Sequence, residues 1–325
     1  MNAYVRLRQI CLVAPHLEPV IPDIAGIMGL DVCYRDSNVA KYGLVNALLP
    51  VDTILLEVVA PFRDGTAAGR FLDKSEGRGG YMAIFCCEDP DAYGRRANAM
   101  GVRVANVITH APYHGVQLHP RDCRAAFIEF NHTEGSDDIL GPYPPAGPDW
   151  QQFIRKDVTQ ALIGVEMQSP DPSGLAAHWG KIIGVAVSKR DDGTAELKLP
   201  NACFRFVRGE TEIMSGLDFR VTSVAAVCEA AKARGYKVSG DEFLLGGVTF
   251  RLAALIQDVR AYRADTSITT TRTAANAASA RQFLRTRKHC PDRRLARSRK
   301  NSGAAAVDAA QERLFGQALS DQSEL

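Results

Sequence analysis

Apolar and polar residues follow the same pattern four times between residues 5 and 255. Each copy begins with an apolar strand, continues as an amphipathic helix and ends in two or three short strands separated by turn residues. A glycine closes each helix, where chains commonly adopt the left-handed conformation. These glycines are Gly29, Gly101, Gly184 and Gly235. The pattern therefore predicts four βαβββ units.

One such unit has too few strands for a stable core, so we expect the units to pair. The segment GPYPPAGPDW is rich in glycine and proline and is typical of a linker. We therefore predict a first domain at 1–140, a linker at 141–157 and a second domain at 158–255, with a loop at 62–80 joining the first two units. The sequence leaves open whether units pair within one chain or exchange between two chains of a homodimer, although tethering favours pairing within the chain.

Residues 256–325 have a different composition. A run rich in threonine, alanine and serine leads into a basic stretch that has little apolar periodicity. Such a segment buries too little apolar surface to offset its ordering entropy, so we predict a tail without fixed structure. Nucleic-acid binding by this tail is not favoured, because aromatic residues that stack on bases are not interleaved with its basic residues.

Composition agrees with a globular protein, since 46% of the residues are hydrophobic and 23% are charged. No apolar run reaches the ~18 residues that span a membrane, and the short apolar run near the start lacks a signal-peptide cleavage site. The eight cysteines form no C-x-x-C pair. We therefore expect a cytoplasmic protein with reduced cysteines and no membrane partner.

Two phrases in the N-terminal half, TAAGRFLDKSEGRGGYMAIF and VQLHPRDCRAAFIEF, resemble the vicinal-oxygen-chelate superfamily of glyoxalase, bleomycin-resistance and dioxygenase proteins. They are most similar to its methylmalonyl-CoA epimerase-like and glyoxalase I-like members. The resemblance covers 5–135 by motif and 160–253 only by the repeat pattern. It implies an α+β fold in which four βαβββ units form two tandem glyoxalase-like domains with cup-shaped mixed sheets.

The resemblance also implies a metal site on inward-facing strand residues of each pair of units. In the first pair the matching positions hold Gln9, Glu57, Met82 and Glu129. Gln9, Glu57 and Glu129 could bind zinc, nickel, cobalt, manganese or magnesium, but the thioether of Met82 is a poor ligand for these ions. Alternatively, Gln9 is a buried amide bonded to backbone, and the two glutamates face solvent.

Histidines and arginines supply further candidates for substrate or anion binding. His110 and His114 flank a short loop that could cover the cup, although surface histidines without function are common in loops. In the second pair both carboxylate positions have become arginine, Arg205 and Arg251. These arginines could clamp a carboxylate or phosphate, or they could pair with acids such as Glu166 or Asp218.

We therefore expect a protein that binds a small carbonyl- or carboxylate-containing molecule in the N-terminal cup. One hypothesis is a metal-dependent lyase, isomerase or epimerase in which Glu57 or Glu129 abstracts a proton next to a carbonyl. The alternative is a non-catalytic binding protein of the resistance or sequestration type that has lost its metal. Extradiol ring cleavage is disfavoured, because the C-terminal positions lack the histidines that iron requires.

Overall fold

Two mixed β-sheets form the described part of the chain, which is residues 4–254 of a computed structural model. The predicted tail at 256–325 lies outside the described residues.

The N-terminal sheet has seven strands in the order β2-β3-β1-β4-β7-β6-β5. Its elements are β1 (Val5–Val13), α1 (Val20–Met28), β2 (Leu44–Val51), β3 (Ile54–Pro61), α2 (Ala67–Ser75), β4 (Met82–Cys87), α3 (Pro90–Ala99), β5 (Val104–His110), β6 (Tyr113–Leu118), α4 (Pro120–Cys123) and β7 (Phe127–Thr133). Short 3₁₀ helices lie at Ser37–Tyr42, Pro144–Ala146 and Trp150–Phe153.

The C-terminal sheet has eight strands in the order β13-β14-β15-β12-β8-β11-β10-β9. Its elements are β8 (Thr159–Ser169), α5 (Pro172–Ile183), β9 (Val187–Lys189), β10 (Ala195–Lys198), β11 (Cys203–Arg208), β12 (Ile213–Val221), α6 (Val224–Ala233), β13 (Val238–Ser239), β14 (Glu242–Leu245) and β15 (Val248–Ala254).

These elements confirm the predicted α+β fold with four repeated units and two cup-shaped mixed sheets. All four predicted helix-ending glycines have a positive φ, between 63° and 87°. The first unit departs from the pattern, because its first short strand is reduced to an isolated bridge between Tyr34 and Leu48. The predicted loop at 62–80 contains the helix α2, whose first turn is capped by the Thr66 hydroxyl accepting from the Gly69 N–H at 3.0 Å.

The two units of each sheet meet through their first strands. β1 runs antiparallel to β4 in the N-terminal sheet, and β8 runs antiparallel to β12 in the C-terminal sheet. The last strand of each unit lies parallel to the first, as β3 does beside β1 and β7 beside β4. Equivalent positions of the two units therefore face the same concave surface.

Strand alternation decides which residues line that surface. On β1, Leu7, Ile10 and Leu12 are buried in the large apolar core that both sheets and their helices share. Gln9 and Cys11 point to the opposite face. No helix among residues 4–254 carries an apolar stretch long enough to cross a membrane.

Candidate functional site

A cavity of about 700 Å³ lies on the concave face of the N-terminal sheet. Four central strands supply its floor, with Gln9 and Cys11 on β1, Glu57 on β3, Met82 on β4 and Glu129 on β7. In the strand register Cys11 lies opposite both Glu57 and Met82. The structure thus brings together all four positions at which the resemblance implied a metal site.

Glu57 is 7% exposed, and both of its carboxylate oxygens accept hydrogen bonds from side-chain amides. The Gln9 Nε2 donates to Oε2 at 2.7 Å, and the Asn46 Nδ2 donates to Oε1 at 2.6 Å. Cys11 lies opposite Glu57 in the strand register, and its thiol donates to the Leu12 carbonyl at 3.6 Å. Glu57 therefore faces inward, and both of its oxygens have hydrogen-bond partners. Gln9 bonds to a side chain, whereas one interpretation of the sequence expected it to bond to the backbone.

Glu129 is 3% exposed and has a matching set of partners. The Tyr113 hydroxyl donates to its Oε1, and the Gln117 Nε2 donates to its Oε2 at 2.7 Å. Asn106 in turn donates from Nδ2 to the Gln117 Oε1 at 3.1 Å, which fixes the direction in which this amide donates. Each carboxyl group therefore accepts two side-chain hydrogen bonds, Glu57 from two amides and Glu129 from a phenol and an amide.

Burial raises the pKa of both carboxyl groups above the usual range of glutamate. The hydrogen bonds donated to each carboxylate oppose this shift, and the negative charge of Glu57 further raises the pKa of Glu129. Burial also raises the pKa of the Cys11 thiol, as does its proximity to Glu57. Both glutamates can therefore exchange protons at a higher pH than exposed carboxylates do.

Tyr143 joins the site from the predicted linker. Its hydroxyl donates to the Gln9 Oε1 at 2.8 Å, so the Gln9 nitrogen faces Glu57. The fully buried Arg8 holds this segment in place, because its guanidinium lies 4.7 Å from the ring centroids of both Tyr143 and Trp150. It also donates to the Ile139 carbonyl at 2.8 Å. Nothing local in the sequence indicates this contact.

Several residues of the site were not predicted from the sequence, because the patterns that mark them there are weak. Asn46 and Gln117 are polar residues inside the apolar runs GLVNALLPV and HGVQL. Cys11 follows Gln9 by two residues on one strand and so shares its face. Tyr81 lines the cavity, and its hydroxyl has no hydrogen-bond partner among residues 4–254.

These residues fit a divalent cation poorly. All four oxygens of Glu57 and Glu129 already accept hydrogen bonds from N–H or O–H groups, and the Gln9 oxygen accepts from Tyr143. A cation bound here would be surrounded by donors rather than lone pairs, and Met82 offers only a thioether. Within the described residues no group of three or more histidine, cysteine, aspartate or glutamate side chains is arranged to hold a metal ion.

The two predicted loop histidines lie in different places. His110 ends β5 and lines the cavity. His114 lies on β6 outside the cavity lining, and its Nε2 is 3.1 Å from the Asp91 Oδ1 on the surface. Only His110 is therefore placed to touch a molecule in the cavity.

Arg205 and Arg251 lie together on the C-terminal sheet beside three carboxylates. Arg205 is 3.1 Å from Glu166 and 2.9 Å from Asp218. Arg251 is 2.7 Å from Glu166 and 2.9 Å from Glu242. The arginines thus make the ion pairs that the sequence offered as the alternative to an anion clamp, and an incoming anion would have to displace these carboxylates.

Neither a family model nor a curated protein matches the chain, but solved structures do. The chain is similar to a hypothetical protein from Staphylococcus aureus, with a TM-score of 0.55 and 16% identity over 77% of this chain and 99% of that one. It is also similar to a Mn(II)-bound glyoxalase from Novosphingobium aromaticivorans, with a TM-score of 0.52 and 13% identity over 78% and 84% of the two chains.

A third similar structure is homoprotocatechuate 2,3-dioxygenase from Arthrobacter globiformis, with a TM-score of 0.52 and 12% identity over 77% of this chain and 80% of that one. Identities this low establish a shared fold and leave the chemistry of the site to its own residues. The chain therefore shares the fold of these structures, which agrees with the cup-shaped α+β fold that the resemblance in its sequence implied.

Proposed function

We propose that the N-terminal cup binds a small organic molecule that carries a carbonyl or carboxylate group, and that it does so without a resident divalent cation. The observation that carries this proposal is the pair of buried, hydrogen-bonded carboxyl groups, Glu57 and Glu129, on the floor of a cavity of about 700 Å³. A cavity of this size with apolar walls and a few convergent polar groups is typical of small-molecule sites.

The walls and floor supply both kinds of contact that such a ligand needs. Apolar side chains from Val59, Met82 and Ile84 contact the cavity, as does the ring of Tyr81. The Tyr81 hydroxyl is a hydrogen-bond donor without a described partner. Burial raises its pKa, and the positive charge of Arg70 opposes this rise, so the hydroxyl keeps its proton. A ligand oxygen placed at this hydroxyl would satisfy the donor that the protein leaves unpaired.

The test is thermal unfolding against a set of keto and carboxylic acids, with and without EDTA. We expect ligands that raise the melting temperature to do so equally in EDTA, and we expect Ile84→Trp, which places a larger ring in the cavity, to reduce the shift. Manganese, nickel and zinc should leave the melting temperature of the wild type unchanged. Met82→His, which supplies the missing nitrogen ligand, is the variant with which the wild type is compared. A wild-type protein that retains about one metal ion per chain after purification would overturn the metal-free proposal.

A second candidate function is proton transfer next to a carbonyl, as in an isomerase or lyase. The raised pKa values of Glu57 and Glu129 favour it, because a carboxyl that titrates closer to neutral pH is a better general base and acid. One glutamate would take a proton from the carbon, the electron pair would move to the carbonyl oxygen, and Tyr81 would donate a hydrogen bond to that oxygen. The other glutamate could return a proton to the carbon.

Hydrogen–deuterium exchange separates this candidate from binding alone. Ligands from the thermal screen are incubated with protein in D₂O, and NMR follows the hydrogen on the carbon next to the carbonyl. Exchange that Glu57→Gln or Glu129→Gln abolishes while binding persists would support proton transfer. Binding without exchange in the wild type would leave a sequestration protein.

A further inference from the structure

Three cationic side chains, Lys41, Arg63 and Arg70, lie on one side of the cavity mouth. Arg63 donates from Nη2 to the Lys41 carbonyl at 3.1 Å, and Arg70 donates from Nη1 to the Gly65 carbonyl at 2.7 Å. Backbone contacts therefore fix both guanidinium groups at the rim while their other N–H groups stay available. We call these three residues the cationic rim.

Gly43 makes the close approach of Arg63 to the rim possible. Its φ is +73°, and a Cβ at this position would overlap the Arg63 Nε and lie 2.8 Å from the Thr66 Cγ2. Arg63 and Thr66 are therefore neighbours over Gly43, at the point where α2 begins. Gly65, Thr66 and Ala67 also line the cavity, so the N-terminal turn of α2 adds partial positive charge to the same side.

The cationic rim forms no ion pair with a carboxylate of residues 4–254. Two acids, Asp36 and Asp64, also line the mouth. The Asp36 Oδ1 accepts from the backbone and side-chain nitrogens of Asn38 at 2.9 and 2.8 Å, which holds this carboxylate in place without removing its charge. Arg70 in addition has a buried Nε without a partner among the described residues. The mouth therefore carries three cationic side chains against two acidic ones, and none of these three cations forms an ion pair within residues 4–254.

We propose that the cationic rim binds an anionic group, a carboxylate or a phosphate, on the ligand of the cavity. The two carboxyl groups of the floor repel an anionic group on the ligand, whereas the cationic rim attracts it. The ligand would therefore bind in one orientation, with its uncharged oxygen toward the floor and its anionic end at Arg63 and Arg70. This inference rests on the proposed small-molecule function of the cavity, and it narrows the ligand class to organic acids with a second, uncharged oxygen group.

Matched probes test the proposal on the full chain by isothermal titration calorimetry. The probes are benzoylpropanoate, its primary amide and benzoylethylphosphonate, which share an aryl ketone and differ at the far end. We expect the acid to bind roughly tenfold more tightly than the amide, the factor that one charge-assisted hydrogen bond supplies. High ionic strength should reduce this preference, because the rim is open to solvent. The phosphonate shows whether the rim favours a carboxylate or a phosphate-like group.

The variants Arg63→Gln and Arg70→Gln should remove the preference for the acid and leave the affinity for the amide unchanged. Unchanged amide binding also shows that each variant is folded with an intact cavity. Lys74→Gln is the matched control, since Lys74 is an exposed cation on α2 outside the cavity lining. It should keep the wild-type preference.

The outcomes separate this inference from the function on which it rests. Equal affinity for the acid and the amide would overturn the anion site and leave the cavity as a binding site. A preference that survives in both arginine variants would overturn the assignment to the rim. If none of the three probes binds, the inference and the proposed function both fail for this class of ligand.

Discussion

Substituting Tyr143 with phenylalanine removes one hydroxyl from the point where the linker meets the cavity floor. The ring is 2% exposed and stays in place against Arg8, so the change deletes only the hydrogen bond donated to the Gln9 Oε1 at 2.8 Å. That oxygen would lose the partner that fixes the orientation of the Gln9 amide. We therefore expect a loss of stability without a change of fold.

The magnitude follows from the burial of both partners. A typical internal hydrogen bond contributes about 1 kcal/mol, and a buried acceptor left without a donor costs about 1–3 kcal/mol. Because Gln9 is 2% exposed, water does not readily replace the lost donor. We expect Tyr143→Phe to lower the free energy of unfolding by about 1–3 kcal/mol.

Urea unfolding followed by tryptophan fluorescence measures this loss, since Trp150 and Trp179 are both buried. The slope of the free energy against urea should stay the same, because the surface exposed on unfolding does not change. Tyr34→Phe is the matched control. The Tyr34 ring lies against Gly147 of the same linker, and its hydroxyl makes no hydrogen bond within residues 4–254. The reasoning is refuted if the two variants lose the same amount or if Tyr143→Phe loses less than about 0.5 kcal/mol.

Three further predictions concern stability. Burial raises the folded-state pKa of Glu57 and Glu129 above the unfolded value of about 4.3. The stability that the two carboxyl groups contribute is therefore present below that pH and is lost as the pH rises through the folded pKa. Urea unfolding at several pH values should therefore show the wild type losing stability with rising pH relative to Glu57→Gln/Glu129→Gln; a relative gain would contradict the shift. Gly247→Ala should cost more than about 1 kcal/mol of unfolding free energy, because a Cβ there would lie 2.5 Å from the Gly77 carbonyl oxygen. Gly193→Ala is the control, since Gly193 has a similar φ and a Cβ there meets open space, so that it bears only the backbone strain. Equal losses in the two variants would contradict the predicted clash. Glu166→Gln should cost about 1–3 kcal/mol of unfolding free energy by the same assay, since it leaves Arg205 and Arg251 with fewer charged partners. Glu229→Gln, which breaks an exposed pair, should cost under about 0.5 kcal/mol. Similar losses would show that the buried cluster adds no more stability than a surface pair.

Local patterns in the sequence were enough to predict the architecture. Strand alternation and helix-ending glycines depend only on neighbouring residues, so four units and their order could be predicted before any contact was known. Alternation also places Gln9 and Cys11 on one face of β1, and the pairing of units puts Glu57 and Glu129 on the same floor. The helix α2 was not predicted, although Ala68, Phe71 and Leu72 recur at helical spacing, because the glycines within and around it are typical of a loop.

Only the tertiary structure decided what surrounds those carboxyl groups. Tyr143 reaches Gln9 across 134 residues of chain because Arg8 holds the linker, and no local pattern encodes that distance. The same is true of Arg205 and Arg251, whose partners lie on other strands. Periodicity tells which side of a strand a residue occupies, whereas the partner it meets there depends on how distant segments pack. The floor positions of the site could therefore be predicted from the sequence. Their hydrogen bonds, their protonation and the cationic rim above them arise from long-range packing.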